Sequence, residues 1–172
     1  MITNFEFKAR VGNPDDFEKK LLVLQPAFRG EDHQTDTYFN IKDGRLKLRE
    51  GNIENSLIHY ERQDCLGAKQ SSVILYRYNP DQALKNILIR TLGIKVVVEK
   101  VRRIYFIENV KFHFDRVKGL GTFIEVEAID ETGSIGLEKL KIQCNHYASY
   151  FSLKDEDYLD KSYSDMLLEK EL

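Results

Sequence analysis

The chain has 172 residues and a formal net charge of -2, from 26 lysines and arginines against 28 aspartates and glutamates. This balance argues against a globally basic nucleic-acid-binding protein. No apolar run approaches the roughly 18 residues that span a bilayer, and the first residues lack the pattern of a signal peptide. Cys65 and Cys144 are isolated, which argues against a structural zinc site. We therefore expect one cytoplasmic domain over residues 1–172, without a membrane or nucleic-acid partner.

Alternating polar and apolar residues predict strands through the first half of the chain. Residues 3–11 alternate cleanly, and Asn13 followed by Pro14 predicts the start of a short helix that ends near Pro26. Asp43-Gly44 is typical of a hairpin turn. Further strands are predicted over Thr35–Ile41, Arg45–Glu50, Leu57–Gln63 and Ser71–Tyr78, with a loop over Asp64–Gln70.

The second half of the chain adds three strands and three helices to this prediction. Asn79-Pro80-Asp81 predicts a helix start, and Gly93 predicts its end. Periodicity then favours one long strand, a hairpin and two final helices. The strands are expected over Ile94–Ile107 and on either side of a turn at Lys118–Gly121, and the helices from Ile135 to Phe151 and after Ser162.

Taken together, these elements predict an α+β fold. About eight antiparallel strands lie between residues 3 and 130, and C-terminal helices follow over about 135–170. Antiparallel sheets of this size often close or curl into a barrel. The apolar faces of the strands need cover, which the helices could supply from outside.

Like charges recur two residues apart on separate predicted strands, so each pair shares one face of its strand. A one-sided sheet with its charged face in water is the ordinary explanation. The separation of basic pairs from acidic pairs favours a second explanation. In it the charged face lines the inside of a barrel, and the buried cations need an anionic ligand. Arginine and lysine suit phosphate groups, and carboxylates suit Mg²⁺ or Mn²⁺. The pairs are Lys47/Arg49, Lys100/Arg102 and Glu125/Glu127.

A series of short motifs runs in one order through residues 3 to about 130. They are Asn4-Phe-Glu6-Phe-Lys8, Asp36–Phe39, Gly44–Glu50, Leu57–Arg62, Lys100–Arg102, His113–Asp115 and Gly119–Glu127. In this order they resemble the CYTH superfamily, also called triphosphate tunnel metalloenzymes. The branch they resemble most is the class IV (CyaB-type) adenylate cyclases.

The resemblance implies an eight-stranded closed antiparallel β-barrel with helices packed on the outside. It also implies that the barrel holds a triphosphate-bearing small molecule together with a divalent metal, Mg²⁺ or Mn²⁺. It implies phosphate binding by Lys8, Lys47, Arg49, Arg62, Lys100 and Arg102. It implies metal binding by Glu6, Glu125, Glu127 and Asp115. The implied catalytic residues are Lys8, Arg49 and Asp115. Arg103 falls on the opposite face by parity, and a homodimer follows only by analogy.

One departure from the family pattern is Asn4, which replaces the first glutamate of an E-x-E-x-K strand. Its amide oxygen can bind a hard cation but adds no negative charge. Three functions therefore stay open. The resemblance favours an adenylate cyclase that converts ATP to cyclic AMP and pyrophosphate. The alternatives are a triphosphatase acting on thiamine triphosphate, a nucleoside triphosphate or inorganic tripolyphosphate, and a non-catalytic polyphosphate or nucleotide binder.

Overall fold

A computed structural model describes residues 2–62 and 68–172, apart from the side chain of Arg62. Eight antiparallel strands close into a barrel in the order β1-β5-β4-β3-β2-β6-β7-β8. The strands are β1 (Ile2–Arg10), β2 (Ala27–Phe39), β3 (Arg45–Glu50), β4 (Ser56–Arg62), β5 (Lys69–Arg77), β6 (Ile94–Ile107), β7 (Val110–Val117) and β8 (Gly121–Asp130). The helices are α1 (Pro14–Leu22), α2 (Gln82–Leu92), α3 (Leu137–Tyr150) and α4 (Tyr163–Lys170). The predicted barrel with helices outside is confirmed.

The main apolar core lies outside the barrel, between its wall and the helices α1 and α3. Phe7 and Phe112 point outward from β1 and β7 and belong to one buried cluster with Leu21 of α1 and Leu140 of α3. The rings of Phe112 and Tyr147 meet edge to face at 4.7 Å. Because successive strand residues point to opposite faces, this outward core leaves the polar residues facing the barrel interior. No helix in the described ranges is long and apolar enough to cross a membrane.

The helix α4 closes one end of the barrel. Ser162 caps this helix through a reciprocal pair of hydrogen bonds with Asp165. Tyr163 then packs with Leu120 and Phe123 in a second buried cluster at the strand ends. At the opposite end the exposed side chain of Ile53 lines the cavity, so the interior reaches solvent there. Within the described residues, the barrel therefore encloses a cavity of about 520 Å³ that α4 covers at one end and that opens beside Ile53 at the other.

The strand β2 is longer than predicted at its start. It begins at Ala27 rather than at Thr35 and ends at Phe39. A register shift between Phe28 and Gly30, where Gly30 has φ 128°, interrupts the alternation that marks a strand in sequence. The added residues matter for the site, because they bring two further buried polar side chains, Asp32 and Gln34, to the barrel wall.

The strand β5 also begins earlier than predicted. Lys69 and Gln70 are strand residues paired with β1, whereas the sequence predicted a loop over Asp64–Gln70. The start of that predicted loop lies outside the described residues. The remaining predicted boundaries agree with the structure to within a few residues.

Candidate functional site

The cavity is lined by residues from all eight strands, and most of the predicted site residues meet there. Asp115 is fully buried beside Arg102, and Arg103 lies on the outer face, where it contacts Glu18 at 2.6 Å. The backbone of Arg62 pairs with β5, but its side chain lies outside the described part of the chain. The predicted residues that line the cavity are Glu6, Lys8, Lys47, Arg49, Lys100, Arg102, Glu125 and Glu127.

Three of the predicted phosphate ligands contact Asp36 on one side of the cavity. Asp36 lies on β2 directly opposite Arg49 of β3, and Arg49 donates two hydrogen bonds of 2.8 Å to its carboxylate. Lys100 and Lys47 reach the same carboxylate at 2.8 Å and 3.2 Å. Burial would raise the pKa of Asp36, but Arg49, Lys100 and Lys47 outweigh it and hold the pKa well below its usual range. Asp36 is therefore ionised and offsets part of their charge.

Arg102 is held in place on a neighbouring part of the wall. Its Nε and Nη2 donate to the two oxygens of Asp115 at 2.7 Å and 2.6 Å, and Nη2 also donates to Glu125 at 2.9 Å. The hydroxyl of Tyr163, from α4, donates to Asp115 Oδ2 at 2.7 Å. Both oxygens of Asp115 are thus engaged in orienting Arg102 and in joining the closing helix to the wall.

The predicted metal-binding glutamates lie on β8 and β1. Glu125 contacts Lys8 at 3.7 Å, and His113 Nδ1 lies 3.3 Å from its Oε2. Burial would raise the pKa of Glu125, but Lys8, the hydrogen bond of His113 and Arg102 hold it well below its usual range. Glu127 lies opposite Glu6 in register, and burial together with the charge of Glu6 raises the pKa of Glu127 to about 7. This acidic wall favours a bound cation.

The oxygen donors on the acidic wall suit a hard divalent cation that the substrate would help to hold. Across residues 2–62 and 68–172, no three acidic, histidine or cysteine side chains form a ready-made metal site. Mg²⁺ is usually bound through one or two carboxylates together with waters and substrate phosphates, so such a group is not required. Asn4 donates to Glu127 through Nδ2, while its buried Oδ1 finds no hydrogen-bond partner in the described structure. Asn4 Oδ1 is therefore a spare oxygen donor beside Glu127.

Comparison with known proteins assigns the fold to a family. The CYTH domain family matches residues 3–163. This chain belongs to the CYTH domain family. The family comprises the triphosphate tunnel metalloenzymes, which act on triphosphate substrates and use divalent metals. A comparison with curated proteins found no match.

Solved structures of other proteins share this fold at low sequence identity. A conserved hypothetical protein from Pyrococcus furiosus is 22% identical with a TM-score of 0.80, covering 94% of this chain and 98% of its own. A provisionally named adenylate cyclase from Vibrio parahaemolyticus is 18% identical with a TM-score of 0.76, covering 96% and 97%. A Hippeastrum protein, provisionally named an adenylyl cyclase and described as having a dominant triphosphatase activity, is 14% identical with a TM-score of 0.62, covering 99% and 96%.

Four cavity residues that contact the predicted site were missed as site residues in the sequence. Asp36 shares a strand face with Tyr38, and Lys111 shares one with His113, so strand parity could have found both. Glu54 lies in the loop between β3 and β4, and Tyr163 lies on α4 beyond the barrel strands. The sequence pattern of the strands does not mark a loop residue such as Glu54 or a helix residue such as Tyr163, because tertiary packing brings both to the cavity.

The raised pKa of Glu127 predicts a pH dependence of stability in the metal-free protein. Its pKa of about 7 in the folded chain lies above the ordinary value of 4.5, so the folded chain binds this proton more tightly than the unfolded chain. The resulting stabilisation is fully present below about pH 4.5 and is lost as the pH rises through about 7. Burial and the charge of Arg102 lower the pKa of His113 to about 3, which gives the opposite trend below about pH 6.5 in both proteins. The test is therefore the difference in the free energy of urea unfolding between the original chain and Glu127→Gln, which should decline as the pH rises through about 7. A difference that does not change with pH would assign the effect to other groups.

Proposed function

We propose that this chain is a metal-dependent enzyme that acts on a nucleoside triphosphate, with cyclisation of ATP to cyclic AMP and pyrophosphate as its reaction. The observation that carries the proposal is the arrangement of buried cations opposite a wall of glutamates, inside a cavity closed at one end by α4. Buried cations in this number need anionic partners, and a triphosphate supplies several negative charges in a row.

The position of each group along the barrel sets the proposed orientation of the substrate. Lys8 lies near the closed end, with its Nζ 4.0 Å from the ring centre of Tyr163. Apolar side chains, among them Ile2, Phe106 and Ile129, line the wall toward the mouth. The triphosphate would therefore point toward α4 and the nucleoside would lie near the mouth. The phosphate ligands in this proposal are Lys8, Lys47, Arg49, Lys100 and Arg102, together with Arg62.

Cyclisation forms a bond between the ribose 3'-oxygen and the α-phosphorus, breaks the bond from that phosphorus to pyrophosphate, and releases the hydroxyl proton to water. In such reactions catalysis is mostly positioning and electrostatic stabilisation of the phosphoryl oxygens. Lys8 and Arg49 would contact those oxygens, and Asp115 would act through Arg102 as a positioning residue. Glu6, Glu125 and Glu127 would hold the divalent metal, which supplies Lewis-acid stabilisation of the phosphate oxygens when bound.

Hydrolysis is the second candidate reaction, and one observation favours it. Asn4 and Ser71 lie opposite each other in register on β1 and β5, and both line the cavity. Asn4 Oδ1 and Ser71 Oγ are buried and have no hydrogen-bond partner in the described structure. Two such groups could hold a water beside the phosphates, as a triphosphatase requires. The activity described for the Hippeastrum protein is consistent with this alternative.

Product analysis decides between these reactions. The purified protein is incubated with Mg²⁺ or Mn²⁺ and with ATP, thiamine triphosphate or tripolyphosphate, and the products are separated by chromatography. Cyclic AMP with pyrophosphate supports cyclisation, whereas orthophosphate without a cyclic product supports the triphosphatase. Binding without turnover would identify a non-catalytic binder, and neither binding nor turnover would contradict the proposed site.

A pair of neighbouring arginines on β6 supplies a matched control for this assay. Arg102→Met removes an inward-facing cation, whereas Arg103→Met removes the adjacent outward-facing one. We expect activity to fall by roughly 100-fold or more in the first variant, in line with the loss of a charged group that stabilises the transition state. The second variant should keep most of the activity. Equal losses would indicate damage to the fold rather than to the site.

A further inference from the structure

Backbone hydrogen bonds hold the loop between β3 and β4 against the barrel wall at the mouth. The buried carboxylate of Asp32, on β2, accepts hydrogen bonds of 2.9 Å from the backbone N–H groups of Ile53 and Glu54. Asn52 donates to the carbonyl of Glu31 at 3.0 Å. A Cβ atom on Gly51 would lie 2.5 Å from Asp32 Oδ1, so the close approach requires glycine. The backbone position of Glu54 is therefore set independently of its side chain.

The side chain of Glu54 lies in the mouth, among cations that line the cavity. Its carboxylate accepts a hydrogen bond from Arg49 Nη1 at 3.1 Å and from Gln34 Nε2 at 3.2 Å. Lys111 Nζ donates to the other carboxylate oxygen. Burial would raise the pKa of Glu54, but Lys111 and Arg49 outweigh it and hold the pKa well below its usual range. An anion of the protein itself thus occupies the position between Arg49 and Lys111.

Asp36 and Glu54 differ in how firmly they are held. Asp36 lies on a strand, is 1% exposed and makes a two-bond pair with Arg49. Glu54 lies on a loop, its side chain is 24% exposed, and it makes a single bond to each cation. Rotation of its side chain toward solvent would leave Arg49 paired with Asp36 and would release Lys111. Glu54 is consequently the anion that an incoming phosphate can replace.

Lys111 has the placement of a phosphate ligand. It lines the cavity from β7, its side chain is 12% exposed, and it lies opposite Glu127 in register. A cation here can contact the substrate and also reduce the repulsion between the substrate and the acidic wall. The five cations in the proposed substrate site that have described side chains each have an acidic partner within 4.0 Å, although three of them share Asp36, so the protein's own carboxylates offset part of their charge. A phosphate therefore has to compete with the protein's own carboxylates for these cations.

We propose that Glu54 is an internal counter-anion that the substrate displaces. Lys111 is then a further phosphate-binding residue, which stays ion-paired with Glu54 until the substrate arrives. This inference rests on the proposed triphosphate site. Because displacement of Glu54 opposes binding, only an anion that also contacts the deeper cations gains enough to replace it. The pair thereby raises the selectivity of the mouth for polyphosphates over small anions.

Calorimetric titration with tripolyphosphate, first with a chelator and then with Mg²⁺, tests the pair without needing turnover. Glu54→Gln removes the competing charge, and the fixed loop backbone should keep its shape. We expect this variant to bind tripolyphosphate about fivefold more tightly than the original chain, as for removal of a partly exposed ion pair that opposes binding. Lys111→Met should weaken binding by a similar factor. In the double variant the gain from Glu54→Gln should shrink, because the two residues are coupled.

Glu131→Gln is the matched control. Glu131 also lines the mouth, but its ion pair is with the exposed Arg77 at 3.8 Å and not with a cation of the proposed substrate site. It should change the affinity less than twofold, and circular dichroism should show all variants folded. An unchanged affinity in Glu54→Gln, or an undiminished gain in the double variant, would overturn the role of the pair. Absence of binding by the original chain, with and without Mg²⁺, would instead overturn the proposed triphosphate site.

Discussion

Asp36→Asn is expected to lower the free energy of unfolding by about 3–5 kcal/mol at neutral pH, as for breaking a buried ion pair by removing one partner. The asparagine has nearly the same shape but leaves two buried cations and the partly buried Lys47 without their common counter-charge. Arg49 and Lys100 each lie 2.8 Å from the Asp36 carboxylate, and Lys47 lies at 3.2 Å. Burial already lowers the pKa of Lys100 to about 7 against the attraction of Asp36, so loss of Asp36 should lower it further.

Urea unfolding of the two proteins in metal-free buffer measures this effect. Glu99→Gln serves as the control, because it removes one carboxylate from an exposed ion pair with Lys118 on the outer surface. That variant should lose less than about 1 kcal/mol. Tripolyphosphate should restore much of the stability of Asp36→Asn, since it supplies negative charge to the same cations and binds only the folded chain. A loss as small as that of the control would show that Asp36 does not balance the cluster.

The inward-facing side chains were predictable from sequence because a strand has a period of two residues. Parity placed Lys100 and Arg102 on one face of β6 and Arg103 on the other, as the structure confirms. The closed barrel was also predictable, because the motifs follow one another along the chain in the same order as in the CYTH family. For the same reason, strand parity would have identified Asp36 and Lys111 had all inward residues been considered.

The parts that could not be predicted depend on contacts between elements distant in sequence. The first half of β2 lost its alternating pattern at the Gly30 register shift, so the buried Asp32 was not recognised. The position of Glu54 follows from Asp32, through hydrogen bonds across more than twenty residues of sequence. Tyr163 reaches Asp115 only because α4 folds back over the barrel end. Local sequence patterns carry no information about such contacts between distant parts of the chain.

Glu127→Gln is expected to abolish the effect of Mg²⁺ or Mn²⁺ on both binding and turnover while the barrel stays folded. Glu127 lies opposite Glu6 in register, and its pKa of about 7 reflects burial and the nearby carboxylate. A bound cation would offset this repulsion, and glutamine supplies one neutral oxygen in place of a carboxylate. Because loss of even an outer-shell partner weakens a metal site 10–100-fold, loss of a direct ligand should weaken metal binding by at least about 100-fold.

Glu125→Gln should give the same loss of metal dependence together with a loss of stability. Glu125 is paired with Lys8 at 3.7 Å and with Arg102 at 2.9 Å, so its removal leaves two buried cations less compensated. Glu127 differs, because its raised pKa means that the neutral form is already well tolerated in the fold. Comparing the two variants therefore separates the metal-binding role of the acidic wall from its structural role.

Calorimetry with Mn²⁺ and tripolyphosphate provides a readout that does not depend on turnover. Metal binding to the original chain near pH 6 should release a proton from Glu127, seen as a heat that changes with the ionisation enthalpy of the buffer. This proton release should disappear in Glu127→Gln and persist in Glu131→Gln, which changes a carboxylate that lines the mouth just beyond the end of β8. Unchanged Mn²⁺ affinity in both Glu125→Gln and Glu127→Gln would contradict the assignment of the metal to this wall. Loss of affinity with an unchanged far-UV spectrum would support that assignment.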